Sequence, residues 1–199
     1  SLIMSVVYLG WSIAAQQWVT KMTESLLADH DVKPDKVLAT PTPFNTLHWR
    51  VIGIDGERSF NLYTRLFSGS KAVFLYTYNR NLNVVSCESD DQRIARIAKF
   101  TGGFYRIMLD DGEVTVADLR MGLTPNYAFR FALGRLEGEK LVPTKTRRLE
   151  GQGDVSTDLN WIFKNIRGIP TARSAEVSAR LDFDQYTATK PTPSSSVQC

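Results

Sequence analysis

The sequence predicts an α+β fold: an antiparallel sheet built from hairpins, packed against a long N-terminal helix and one or two further helices. Two glycine-containing turns, Asp55-Gly56-Glu57 and Asp110-Asp111-Gly112, each lie between runs rich in β-branched and aromatic residues, which is a strong hairpin signal. A long apolar stretch at the N-terminus continues with helical spacing. Because consecutive hairpins pair neighbouring strands in opposite directions, the sheet is expected to be antiparallel.

The first 30 residues are predicted to form one helix with a very apolar beginning. Residues 2–19 (LIMSVVYLGWSIAAQQWV) are apolar on every side as far as Ala15, after which Trp18, Met22 and Leu26 recur with helical spacing. The uninterrupted apolar part is shorter than the roughly 20 residues that a bilayer span needs. No basic segment precedes it, so a signal peptide is not indicated. Two interpretations stay open: the end of a membrane helix running into a soluble helix, or a buried core helix.

Strands are predicted on both sides of each hairpin turn, and one more follows them. That last strand places Tyr127, Phe129, Phe131 and Leu133 on an inward row, with Ala128, Arg130 and Ala132 outward. Residues 71–86 fit a strand or a helix equally well. The predicted strands are 46–54, 59–67, 104–109, 113–121 and 127–133, with an extended TPTP lead-in at 40–43.

Two shorter helices complete the prediction. Ser89 and Gln92 have the spacing of a capping box, and Gly102-Gly103 ends the helix that they begin. Ser156 is expected to cap a second helix that runs to Arg167. The domain boundaries that follow are a helix over 1–30, a soluble α+β domain over 31–186, and a low-complexity, mobile tail over 187–199.

Composition and motifs exclude several functional classes. The net charge of +3 is spread along the 199 residues, and the basic cluster at 145–148 is expected to be a solvated loop, so nucleic-acid binding is not predicted. Cys87 and Cys199 form neither a disulfide framework nor a metal motif. The two histidines, His30 and His48, do not have the spacing of a metal site, and no nucleophile elbow is present. The sequence therefore predicts no metal site and no self-contained active site.

Five charged or basic side chains are the candidate ligand-binding residues. If the predicted strands are neighbours, one sheet face carries His48, Arg50, Asp118, Arg120 and Arg130. Guanidinium groups around a carboxylate would suit an anionic headgroup or phosphate, which arginine binds through two parallel hydrogen bonds. The alternative is a set of cross-strand charge pairs on a wet sheet surface, each contributing about 0–1 kcal/mol. The residues alone leave both alternatives open, and an internal buried ion-pair network would look identical in sequence.

Two long segments resemble a known family. ATPTPFNTLHWRVIG and GGFYRIMLDDGEVTVADLRMGLTPNYAFRFALG are similar, in this order, to the C-terminal region of the bacterial membrane-bound metal-dependent hydrolases, which are inner-membrane proteins. YLGWSIAAQQWV is similar to the end of that family's last membrane helix. The likeness covers about Tyr8 to Arg135. The matching positions are Pro41, Pro43, Phe44, Asn45, Trp49, Arg50, Phe104, Tyr105, Asp118, Leu119, Arg120, Met121, Gly122, Tyr127 and Phe129.

The resemblance implies several transmembrane helices ahead of Ser1, with a divalent metal held by residues in that missing part. It assigns no role to any matching position, and His48 stands where the family more often has an apolar residue. The expected function is the soluble C-terminal domain of an inner-membrane hydrolase, at the membrane surface, where Arg50, Arg120 and Arg130 help to recognise an anionic substrate. The isolated domain is expected to bind no catalytic metal and to hydrolyse nothing. The lone Lys21 does not fix the side of the membrane.

Two other functions stay open from the sequence. The chain could be a non-enzymatic module that binds a small ligand or a protein through the open sheet face. It could also be a structural spacer, in which case Asp118 and Arg120 would be fully paired with no cavity nearby.

Overall fold

A computed structural model describes residues 2–67, 74–86, 92–138, 140–149 and 154–189. It confirms the α+β class, with helices and hairpin-built antiparallel sheets. The chain divides into two compact units, which divide the predicted domain 31–186 between them. The first unit contains residues 1–56, 60–77 and 154–190, and the second contains 57–59, 78–153 and 191–199.

The helices and strands follow one another in a mixed order. They are α1 (Leu2–Asp29), β1 (Lys36–Pro41), β2 (His48–Asp55), β3 (Arg58–Arg65), β4 (Phe74–Asn79), α2 (Asn83–Ser86), α3 (Gln92–Thr101), β5 (Tyr105–Asp110), β6 (Glu113–Asp118), β7 (Gly122–Leu123), β8 (Asn126–Tyr127), β9 (Arg130–Glu137), β10 (Lys140–Leu149), α4 (Val155–Ile166), a 3-10 helix (Ser174–Ala179), β11 (Arg180–Leu181) and α5 (Phe183–Ala188).

The first unit is built on a five-stranded sheet in the order β1-β2-β3-β4-β11. Helix α1 covers one face, where its buried Ala15 and Val19 join Trp49 and Val51 in the core. The first half of the TPTP lead-in is extended as predicted: Pro41 ends the edge strand β1 and pairs with Trp49 of β2, whereas Pro43 lies in a turn with Phe44. Proline is tolerated there because an edge strand can leave one side without ladder hydrogen bonds.

The second unit is built on a four-stranded sheet in the order β10-β9-β6-β5. Its core lies on one face, where side chains from α2 and α3 pack against the strands. The β5–β6 hairpin forms at the predicted Asp110-Asp111-Gly112 turn, with Asp110 opposite Glu113. The buried core residues are Val85, Ile107, Val114, Val116, Leu133 and Leu141.

Two sequence-based assignments in the second unit are wrong. The predicted strand 127–133 is divided: Tyr127 pairs with Gly122 in a small two-stranded sheet, and β9 begins only at Arg130. Ala132, which was expected to point outward, is fully buried. The basic cluster 145–148 is not a loop but part of β10, where Arg147 forms an ion pair with Glu113 at 2.7 Å.

The C-terminal region also differs from the prediction. Helix α4 is capped by Asp154 instead of Ser156, because the Asp154 carboxylate accepts hydrogen bonds from the backbone N–H groups of Ser156 and Thr157 at 3.0 and 3.1 Å. Helix α5 extends into the predicted tail as far as Ala188. Ser89 of the predicted capping box, residues 71–73 and tail residues 190–199 lie outside the described residues.

Candidate functional site

His48 is enclosed in the first unit, on the face of β2 opposite α1. Its ring stacks on Tyr63 at 6.0 Å and meets the edge of Trp161 of α4 at 5.0 Å. Thr42 Oγ1 lies 3.2 Å from Nδ1. Burial, assisted by the positive charge of Arg65, lowers the His48 pKa to about 4. His48 is therefore neutral at pH 7 and belongs to an aromatic cluster, not to an open surface.

Arg50, two residues farther along β2, is the first member of a buried polar network. Its Nε and Nη2 both donate to Asn61 Oδ1, at 3.1 and 2.9 Å. Asn61 Nδ2 donates to Glu176 Oε1 at 2.7 Å, and the Tyr63 hydroxyl donates to Glu176 Oε2 at 2.7 Å. Burial and the Glu176 carboxylate raise the Tyr63 pKa well above its usual value, so the hydroxyl keeps its proton. Arg50 therefore belongs to an internal buried network, which is the third alternative left open by the sequence, and lies neither in an open site nor on a wet surface.

Arg173 closes this network from the C-terminal side. Its Nη1 donates to Glu176 Oε2 at 3.1 Å, while its Nε and Nη2 bind the Asp158 carboxylate of α4 at 2.9 Å each. Its backbone N–H donates to the Tyr76 hydroxyl at 3.0 Å. The network thus joins β2, β3 and β4 to the segment that contains α4 and the 3-10 helix.

Asp118 and Arg120 form a close pair in the second unit. Asp118 Oδ1 accepts from the backbone N–H of Arg120 at 2.9 Å and from its Nε at 3.0 Å, and Oδ2 accepts from Nη2 at 2.8 Å. Asp118 is buried, whereas the Arg120 side chain is 30% exposed and lies over the Phe100 ring. This full pairing is what the structural-spacer alternative predicts, and the Asp118–Arg120 pair forms a structural corner of the second unit.

The five candidate residues do not share one sheet face. His48 and Arg50 belong to the five-stranded sheet of the first unit, whereas Asp118, Arg120 and Arg130 belong to or adjoin the four-stranded sheet of the second unit. The expectation of one shared face is therefore wrong. The error comes from the assumption that all the hairpins extend a single sheet. In the structure, the β2–β3 and β5–β6 hairpins belong to two different sheets.

Arg130 instead shares a sheet face with Arg106, a residue that was not among the predicted site residues. Across three neighbouring strands, Ala117 of β6 is opposite both Arg106 of β5 and Arg130 of β9. The two arginines therefore flank a small side chain on one face. The Arg106 guanidinium lies over the rings of Tyr78 and Tyr127, at 4.7 and 5.8 Å. The pairing could have been obtained from the Asp110-Asp111-Gly112 turn, because the hairpin fixes its own register.

Both guanidinium groups have an Nε donor that is buried and makes no hydrogen bond with the described residues. Such a donor is costly to leave unsatisfied, by about 1–3 kcal/mol or more for a charged group. A phosphate or carboxylate offers the acceptor geometry that guanidinium groups prefer.

Helix α1 supplies ten of the twenty large hydrophobic side chains that are exposed in the described part of the chain. Its residues 2–14 include no charged side chain and are exposed apart from half-buried Ser12. From Ala15 onward, one stripe is buried at helical spacing: Ala15, Val19, Thr23, Leu26 and Leu27. The helix is long and apolar enough to cross a membrane, and only 11% of its most apolar 18-residue window is buried in the protein.

Within the described ranges, no group of three or more His, Cys, Asp or Glu side chains is placed to hold a metal ion.

Comparison with protein-family models, curated proteins and solved structures gives no match to this chain.

Proposed function

We propose that this chain is the membrane-attached C-terminal domain of a bacterial inner-membrane protein of the metal-dependent hydrolase type. The observation that carries the proposal is the change in α1 at Ala15. Before it, the helix is exposed and apolar on all sides; after it, the same helix packs on a sheet. An exposed apolar surface of this kind is stabilised when a bilayer removes it from water.

The dimensions of α1 agree with partial immersion. Residues 2–14 have a helical length of roughly 20 Å, against about 30 Å for the hydrocarbon core of a bilayer. The first charged residue of the helix is Lys21, about two turns beyond Ala14. In this proposal, residues upstream of Ser1 complete the span, and the metal-activated water acts there, as the resemblance implies.

The contribution of this chain would be recognition of an anionic group. Arg130 remains in that role with Arg106, since both carry a buried Nε donor that no described residue satisfies. Arg50 and Arg120 are reassigned to structural roles because their guanidinium groups bind Asn61 and Asp118. The alternative, a non-enzymatic ligand- or protein-binding module of a membrane protein, would use the same two arginines without a hydrolytic centre.

Membrane attachment is tested by flotation with vesicles of phosphatidylethanolamine and phosphatidylglycerol. Val6→Glu with Leu9→Glu introduces two charges into the apolar part of α1, where these residues are 62% and 59% exposed. We expect at least a tenfold loss of vesicle binding. The matched control is Val155→Glu with Phe163→Glu on α4, where exposure is 65% and 54%. Equal binding by both double variants and the unmodified chain would contradict the proposal.

Anion recognition is tested separately by calorimetric titration with inorganic phosphate. Arg106→Gln or Arg130→Gln should weaken phosphate binding at least tenfold, because each removes one guanidinium fork. Arg147→Gln is the control, since its exposed guanidinium already binds Glu113. Phosphate binding that survives the double variant Arg106→Gln with Arg130→Gln, or that Arg147→Gln weakens as much, would show that the two arginines do not form the site.

A further inference from the structure

We propose that the loop formed by residues 42–47, together with Phe67, makes a second contact with the lipid bilayer beside α1. This inference rests on the proposed membrane attachment of α1 and extends it to a separate part of the first unit. The contact surface, called the aromatic rim below, consists of Trp11, Phe44, Leu47 and Phe67.

Phe44 is the most exposed large apolar side chain of the rim. It is 92% exposed, and its backbone has a φ of 63°, in the left-handed region that an aromatic residue rarely adopts. Phe67 is 76% exposed, Trp11 44% and Leu47 40%. Backbone strain and exposure of an apolar ring to water both cost free energy. Residues that combine them are typical of surfaces that bind another apolar surface.

The loop holds Phe44 outward through the side chain of Asn45. Asn45 Oδ1 accepts from the backbone N–H groups of Leu47 and His48 at 2.9 and 2.7 Å. Its Nδ2 donates to the Thr42 hydroxyl at 2.8 Å and to the Pro43 carbonyl at 3.1 Å. Local side-chain hydrogen bonds of this kind fix the turn. The Phe44 ring is therefore already positioned before it contacts the bilayer.

Trp11 links the loop to α1. Its indole Nε1 donates to Thr46 Oγ1 at 3.2 Å, and its ring lies 6.4 Å from the ring of Phe67. The backbone N–H of Leu66 donates to the Leu47 carbonyl at 2.8 Å, which holds Phe67 close to the loop formed by residues 42–47. The rim is therefore level with the part of α1 where its all-round exposure ends, one turn before Ala15.

The position of the aromatic rim beside α1 favours contact with a lipid bilayer. The rim continues the exposed apolar surface of α1, and tryptophan with a satisfied N–H is typical of the boundary between hydrocarbon and headgroups. Residues 40–47 carry no charge that would resist transfer to that boundary. An apolar cleft of about 200 Å³, lined by Trp11, Ala14, Ala15, Trp18, Leu66 and Phe67, opens beside the rim and can accept part of an acyl chain.

Two contacts on one rigid unit would fix its orientation on the membrane surface. A single helix allows the attached domain to tilt and rotate, whereas a second contact at Phe44 restricts both motions. The TPTPFN sequence then has a physical explanation. The prolines and Asn45 form a stiff support, and Phe44 is the side chain that the support presents.

The test uses a chain with Cys87→Ser and Cys199→Ser, in which an environment-sensitive nitrobenzoxadiazole fluorophore labels Phe44→Cys. With vesicles of phosphatidylethanolamine and phosphatidylglycerol, we expect a blue shift of its emission and quenching by doxyl groups placed high on the acyl chains. The matched control is the same label at Phe163→Cys, which is 54% exposed on the opposite side of the sheet. That label should not shift.

The two proposals fail in different ways. If the labelled chain floats with the vesicles but the label at position 44 keeps the spectrum it has in water, α1 is the anchor and the rim proposal is overturned. If the label shifts in the absence of lipid at higher protein concentration, the rim is a contact between protein molecules, which also overturns it. If the chain does not float at all, membrane attachment itself fails. An unlabelled Phe44→Ser variant gives independent support if it weakens vesicle binding severalfold while Phe163→Ser leaves it unchanged.

Discussion

Asn61 and Glu176 are joined by a hydrogen bond of 2.7 Å although 115 residues separate them in the chain. Asn61 lies in the middle strand of the five-stranded sheet, and Glu176 lies in the 3-10 helix near the C-terminus. Both are buried, as are Arg50 and Arg173 on either side of them. The C-terminal segment is thus attached to the sheet by a connected set of charged and polar groups.

The first prediction concerns Glu176→Gln, which removes a buried negative charge between two arginines. We expect a loss of about 3–5 kcal/mol in the free energy of unfolding, because the remaining buried charges are left without compensation. Arg147→Gln should cost only about 0–1 kcal/mol, since that ion pair is exposed. Urea denaturation of both variants under identical conditions compares the two losses, and equal midpoints would contradict a structural role for Glu176.

The second prediction concerns pH and His48. Because burial lowers the folded-state pKa from 6.5 to about 4, the unfolded chain binds a proton between these values that the folded chain does not. The stability due to neutral His48 is complete above pH 6.5 and is lost as the pH falls to 4, by roughly 3 kcal/mol in all. His48→Asn should remove this part of the pH dependence, whatever its effect at pH 7. Parallel curves for the two proteins in urea denaturation from pH 4 to 7 would exclude a buried neutral His48.

The sequence was sufficient for features that depend on neighbouring residues. The two hairpin turns, the extended start of the TPTP segment at Thr40 and Pro41, and the glycine stop after α3 all formed as predicted, because glycine and proline restrict the backbone locally. Strand β10 was missed since it is an edge strand with polar residues on both faces, which leaves little apolar periodicity.

The candidate sites were harder to predict because they depend on which strands meet. Asn61, Tyr63 and Glu176 give no local signal for a shared network, and only the packing of the C-terminal segment brings them together. The position of Arg106 could have been predicted, since the hairpin register places it opposite Ala117. To predict that Arg130 also lies opposite Ala117, one would need to know that β9 is next to β6, and no turn sequence determines this.

The third prediction concerns Asp118→Asn in the second unit. The change retains one oxygen acceptor but removes the charge that binds the Arg120 guanidinium twice, at 3.0 and 2.8 Å. We expect a loss of about 1–3 kcal/mol in the free energy of unfolding. Asp110→Asn, at an exposed position of the same sheet, is the control. A destabilised protein supports a structural corner, whereas unchanged stability combined with weaker phosphate binding would return Asp118 and Arg120 to the ligand site.

The last prediction concerns the contact of Gly53 with Phe60, its neighbour across the β2–β3 hairpin. A Cβ atom at position 53 would overlap the Phe60 ring, which is itself buried against Tyr186 with ring centroids 5.7 Å apart. An aromatic ring laid over a glycine in a neighbouring strand fixes register, because a shift of the strands removes the space that the ring fills. Gly53→Ala should therefore cost about 1–3 kcal/mol or more through overpacking.

The double variant Gly53→Ala with Phe60→Leu separates overpacking from a general loss of sheet stability. The smaller leucine leaves room for the new methyl group, so the double variant should be more stable than the sum of the two single changes predicts, by about 0.5–3 kcal/mol. Unfolding in urea, followed by near-ultraviolet circular dichroism, measures all four proteins. Additive free energies would mean that the ring moves aside at little cost, and that the register of the hairpin depends on its turn alone.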